Sequence, residues 1–97
     1  MASWPAKDPD DELDYSLTWA EQMAIDTDVI ASYDPFVESG TCEIVTDVGK
    51  EPSHDDTLTL VWISGGEIGE TCVIVNRITT GEGRQYDHSR KIKIKAK

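Results

Sequence analysis

Between residues 57 and 97 the chain alternates short β-rich runs with glycine-bearing turns, and this punctuation limits the fold more than any other feature. Residues 57–63 (Thr-Leu-Thr-Leu-Val-Trp-Ile) lead into Ser64, Gly65, Gly66, Glu67, Ile68 and Gly69. Residues 71–80 (Thr-Cys-Val-Ile-Val-Asn-Arg-Ile-Thr-Thr) lead into Gly81, Glu82 and Gly83, and residues 89–97 alternate charge with hydrophobe. β-branched side chains suit a pleated, half-buried surface, and glycine tolerates the backbone angles of a tight turn. This half of the chain therefore reads as an antiparallel sheet.

The first half supplies more strands. Leu13, Tyr15, Leu17 and Trp19 share one parity and Asp14, Ser16 and Thr18 the other, the period of a strand with one buried face. Residues 20–26 favour a helical turn but are too few to hold one without tertiary support, so they read as a one-turn crossover. A second strand is expected at 29–33, stopped by Asp34 and Pro35. A third lies within 40–47, with Cys42 and Ile44 inward and Glu43 outward. Residues 48–56 read as an exposed loop. Trp19 and Trp62 are expected as core anchors. In the last run Lys91, Lys93, Lys95 and Lys97 point one way and Ile92, Ile94 and Ala96 the other, and such a lysine row protects an open sheet edge. The sum is an all-β chain, an antiparallel immunoglobulin-like β-sandwich of about six to seven strands. Residues 1–12, with Pro5, Pro9 and a run of acids, are expected as an extended acidic arm, and 13–97 as a single domain.

A chain of 97 residues buries roughly 60–70% of its unfolded surface, enough for one compact core without a deep pocket. No apolar run approaches the roughly 18 residues that cross a bilayer, and the start shows neither the basic nor the apolar region of a secretory leader. Cys42 and Cys72 are too few for a disulfide scaffold and form no zinc motif. With no leader to an oxidising compartment, they are expected as buried free thiols, a cross-sheet disulfide being the less favoured reading.

Charge divides the chain. Residues 1–56 hold 15 acids against Lys7 and Lys50, while residues 57–97 hold four acids against seven bases, for a net −10. An acidic body disfavours nucleic acid and anionic membrane as partners. The acidic first half and basic last strand could attract each other within one molecule or between copies.

No catalytic set is evident. Asp87, His88 and Ser89 are neighbours in a strand, so their side chains alternate between faces and do not form a triad. The acids from Asp8 to Asp14 lack the glycine and glutamate spacing of an EF-hand, leaving at most a loose calcium site. The glycines are followed by no Lys-Ser or Lys-Thr, so no phosphate loop is present. The expectation is no enzyme, no cofactor and no metal.

Four blocks take the reading further. Asp-Pro-Asp-Asp-Glu-Leu-Asp-Tyr-Ser-Leu-Thr-Trp ends at Trp19, Asp-Thr-Asp-Val-Ile-Ala-Ser ends at Ser32, Leu-Val-Trp-Ile-Ser-Gly-Gly-Glu-Ile-Gly ends at Gly69, and Val-Asn-Arg-Ile-Thr-Thr-Gly-Glu-Gly-Arg ends at Arg84. In this order they resemble a family of small virion proteins of tailed phages, the fibre-to-tail adaptor type. The Ser-Gly-Gly and Asn-Arg-Ile-Thr-Thr segments are the more specific part, and residues 41–56 carry no matching block. The resemblance implies a structural protein of the virion neck or tail, made in the bacterial cytoplasm. It would join portal or connector, tail or fibre proteins, and stand in a homo-oligomeric ring.

Candidate interface residues follow from charge and exposure. Trp4, in a polar terminus, either packs on its own domain or docks on another chain. Asp10 and Asp11 in the arm, Arg77 and Arg84, and the row Lys91, Lys93 and Lys95 are the charged candidates. For Arg77, with Asn76, Thr79 and Thr80, the plainer expectation is the solvent face of a strand. Two alternatives share the composition: a capsid decoration protein of the same fold, and an acidic inhibitor imitating nucleic acid.

Overall fold

The computed structural model describes residues 2–96, the side chain of Asp26 excepted. In chain order the elements are β1 (Ala2–Ser3), β2 (Leu13–Thr18), α1 (Ala20–Asp26), β3 (Ile30–Tyr33), β4 (Phe36–Ser39), β5 (Cys42–Ile44), β6 (Ser53–His54), β7 (Leu58–Gly65), β8 (Thr71–Thr80) and β9 (Gln85–Lys93). The strands form two sheets, so the fold is the all-β sandwich that the turn spacing predicts. Sheet I has the order β1-β9-β8-β3 with β4 also on β8, and sheet II the order β2-β7-β5 with β6 also on β7.

Each sheet is built on one long central strand. β8 pairs with β9 without interruption from Thr71 opposite Lys93 to Thr79 opposite Gln85, and β7 pairs with β2 from Ile63 opposite Leu13 to Leu58 opposite Thr18. The other side of each central strand is covered by two short strands laid end to end: β3 and β4 on β8, β5 and β6 on β7. Asp34 and Pro35 therefore interrupt the edge strand without stopping it. The Asp34 amide donates to the Arg77 carbonyl at 2.8 Å, and Phe36 resumes pairing opposite Val75. Proline is tolerated there because an edge strand needs only half of its amides.

The chain crosses from sheet I to sheet II at Gly40, whose φ is +96°. A Cβ there would lie 2.7 Å from Cys72 Sγ and 2.9 Å from Cys72 Cα, so the crossing passes where only glycine fits. The seven-residue α1 closes one end of the sandwich by burying Met23, and Thr27 ends it in the left-handed region at φ 50°.

Tyr15, Leu17, Val61 and Ile63 from sheet II meet Ile74, Ile78, Ile92 and Tyr33 from sheet I in the core. The lysine alternation is as expected: Ile92 and Ile94 are buried while Lys91, Lys93 and Lys95 are exposed, and Lys97 lies outside the described residues. Two parities differ from expectation. Trp19 is buried, but Trp62 lies between inward Val61 and Ile63 and so faces out, half-buried beneath the Lys50 ammonium at 4.8 Å from its ring centroid. Asn76 and Thr80 are buried, leaving only Arg77 and Thr79 of that group on the outer face.

The cysteines are not free thiols. Cys42 on β5 and Cys72 on β8 are bonded, with Cα atoms 6.2 Å apart, so a disulfide ties sheet II to sheet I. Strand parity gave both as buried, but which buried positions face each other across two sheets is not written in either strand.

Candidate interaction surfaces

The segment expected as an extended acidic arm lies, from Ala2 to Lys7, on its own domain. β1 runs parallel to β9, with Ala2 opposite Arg90 and Ser3 opposite Lys91. The ladder continues as single hydrogen bonds: Trp4 N donates to Lys91 O at 2.9 Å, Lys7 N to Lys93 O at 3.0 Å and Lys95 N to Lys7 O at 3.0 Å. Extended backbone with prolines is what an edge accepts, and so the edge that the lysine row was expected to guard is covered along residues 90–95 by residues 2–7.

Trp4 takes the first of its two readings and packs on its own domain, stacked on Tyr15 with ring centroids 5.0 Å apart. The Tyr15 hydroxyl donates to the Pro5 carbonyl at 3.0 Å, and burial, then the charge of Asp11, pushes its pKa up to about 12. Lys7 is wholly buried, its ammonium donating to the Asp8 carbonyl at 2.7 Å. The acids after it form a closed turn. Asp11 N donates to Asp8 O, Asp8 N to Asp11 Oδ2 and Asp10 N to Asp8 Oδ1, all between 2.9 and 3.2 Å. The Asp8 and Asp11 carboxylates thus serve as turn acceptors, while Asp10 contributes its amide.

Both candidate arginines hold carboxylates of their own chain. Arg77 forms a two-pronged pair with Asp87, Nε to Oδ1 and Nη2 to Oδ2, each at 2.9 Å. Its guanidinium holds the Asp87 carboxyl below the usual range and also lies 5.1 Å from the ring centroid of exposed Phe36. Arg84 reaches Asp28 Oδ2 at 3.0 Å. Asp28 sits low in pKa chiefly through the Thr80 hydroxyl, then through the Val29 amide and Arg84. These contacts anchor the β8–β9 hairpin to β3 and β4.

The lysine row differs. Lys91, Lys93 and Lys95 are exposed on the outer face of sheet I and among the described residues enter no ion pair, unlike Lys50 with Glu12, Arg77 with Asp87 and Arg84 with Asp28. Ser3, Trp4, Ala6, Thr71, Lys91 and Lys93 line a shallow groove of about 170 Å³ beside β1.

Behind Arg77 runs a buried polar chain that alternation along β8 does not reveal as a unit. Tyr33 donates to Asn76 Oδ1 at 2.6 Å, Asn76 Nδ2 to the His88 carbonyl at 3.0 Å, and Trp19 Nε1 to Thr59 Oγ1 at 3.1 Å. Burial drives the Tyr33 hydroxyl pKa up. The His88 ring packs on Trp19 with centroids 4.5 Å apart, and partial burial, then the charge of Arg90, lowers its pKa. With Asp87 held by Arg77 on the opposite face, Asp87, His88 and Ser89 do not converge, as their adjacency implies. Glu70 lies beside Cys42 and Cys72. Its Oε1 accepts from the Thr41 amide at 2.6 Å and hydroxyl at 2.9 Å, and bonded sulfurs are not thiolate ligands.

Comparison with known families matches residues 7–93 to a family described as podophage GP4 fiber-tail adaptor protein gp77. Comparison with curated proteins finds no match.

Proposed function

The chain belongs to the podophage GP4 fiber-tail adaptor family, gp77 type, and from that membership we propose that it joins the tail or connector of a virion to its fibres without catalysing a reaction. The family is one of structural virion proteins of the phage tail, made in the host cytoplasm. The observation that carries the reading is the extent of the match, which runs from the buried Lys7 through the last residue of β9 and so covers every element of the sandwich except β1.

The fold suits the task. Two cross-linked sheets resist shear, and a rigid unit presents its faces and edges to larger neighbours at fixed angles. Neighbours that bind only the folded form stabilise it further by mass action. Several copies are proposed to stand as a ring around the neck or tail, contacting portal or connector, tail and fibre proteins.

The test is genetic. A phage whose gene for this chain is interrupted, grown in a host that does not rescue it, is expected to yield particles with filled heads and without attached fibres in negative-stain images. Normal fibres on particles that lack the chain contradict the proposal.

A further inference from the structure

Sequence left two ways for the basic last strand and the acidic first half to meet, and the fold separates them. Lys91 and Lys93 project from the outer face of sheet I, since Ile92 between them is buried. Asp14 and Glu43 project from the outer face of sheet II, since Tyr15 and Cys42 beside them are buried. Asp14 lies opposite Trp62, and Glu43 opposite Ser64, which shares the outward parity of Trp62. The two sets of charge are therefore on opposite sides of a molecule whose smallest extent is 19 Å. Screening at physiological salt acts over about 8 Å, so they do not neutralise each other through or around one molecule. Among the described residues none of the four takes part in an ion pair.

Faces of opposite sign on opposite sides of one rigid unit complement the next copy in the same orientation. We infer that copies of this chain associate head to tail, the Lys91/Lys93 face of sheet I seated on the Asp14/Glu43 face of sheet II of its neighbour. This rests on the proposal that several copies share the particle and identifies the surfaces by which they meet. Such a contact is heterologous, closing into a ring when the rotation between copies permits and extending as a filament otherwise. Half-buried Val73, opposite Lys91, supplies apolar surface within the basic face, while on the acidic face the Lys50 ammonium lies over Trp62 and is balanced by Glu12, leaving Asp14 and Glu43 as the net charge. Charge gives such a contact its register and encounter rate, and apolar area its lifetime.

The test uses the purified full chain and two double variants, Lys91→Glu with Lys93→Glu and Asp14→Lys with Glu43→Lys. Sedimentation velocity is run at about 0.1 M and about 1 M sodium chloride, where screening shortens from about 10 Å to about 3 Å. The wild type is expected to sediment as oligomers at low salt and to shift towards monomer at high salt. Each double variant alone presents two like faces and is expected to associate at least about tenfold more weakly. Mixing the two variants in equal amounts restores association, because each then offers the face that the other lacks. Circular dichroism confirms folding, and the neutral pairs Lys→Gln and Asp14→Asn with Glu43→Gln replace any variant whose spectrum changes, with weakened association expected. A wild type that is monomeric at both salts, or variants that associate like the wild type, overturns the inference. So does a lysine variant that self-associates normally but fails to enter particles, since the row then faces a different virion protein. None of these results alters the fibre-loss test, so the adaptor proposal stands or falls separately.

Discussion

Asn76 shows how one position on β8 can be structural where its neighbours are not. It is 0% exposed, accepts from Tyr33 and donates to the backbone of β9, so removing it takes a partner from a buried hydroxyl and from a β9 carbonyl. Asn76→Ala is expected to cost about 2 kcal/mol or more in urea unfolding, while Thr79→Ala on the outward parity stays within about 0.5 kcal/mol. Equal effects contradict the alternation assigned here. Tyr15 gives a signed pH dependence. Its hydroxyl is held neutral up to about pH 12 in the fold, whereas an unfolded tyrosine ionises near about pH 10. Its contribution to stability is therefore whole below about pH 10 and lost as pH rises through about 12. Urea midpoints across that range are expected to fall less steeply for Tyr15→Phe than for the wild type, and parallel curves contradict the assignment.

At the scale of elements, the inter-sheet disulfide and the N-terminal strand hold what the core of a small domain leaves loose. Cys42 and Cys72 are 30 residues apart in sequence, and closing such a loop contributes about 3–4 kcal/mol in the chain-entropy account. Reductant is expected to lower the urea midpoint by a corresponding amount, and an unchanged midpoint contradicts a bonded native state. Trp4→Ala removes the stack on Tyr15 and loosens β1, at about 2 kcal/mol. Native-state hydrogen exchange is expected to find the Lys7 and Lys95 amides protected; exchange of both at unfolded-chain rates contradicts a docked terminus. β2 and the Lys91–Lys95 run were legible from one-residue alternation, and β7 and β8 from β-branched runs bounded by glycine, although the parities of Trp62, Asn76 and Thr80 were not. What alternation cannot encode is pairing between distant segments. The docked run 2–7, the continuation of the edge past Pro35 and the meeting of Cys42 with Cys72 depend on the register of another strand. The start of β9 at Gln85 is hidden because residues 85–88 are polar on both faces or nearly so. Of the candidate surface, the lysine row was legible and Lys91, Lys93 and Lys95 enter no ion pair among the described residues, whereas Arg77 and Arg84 are held by Asp87 and Asp28 of their own chain, which a sequence does not place.

As a whole the molecule is a cross-linked sandwich with lysines on one outer face and carboxylates on the other, in a family of virion adaptors. Rigidity comes from the two sheets and the disulfide between them, and the two faces are the surfaces through which copies are proposed to meet. The most direct measurement is a cryo-EM reconstruction of the tail of the intact particle, with the chain identified in the same particles by mass spectrometry. Density for this sandwich is expected between the tail or connector and the base of the fibres, in repeated copies around the tail axis. Density for it on the capsid shell alone, or particles that carry fibres and lack the chain, would contradict the adaptor role.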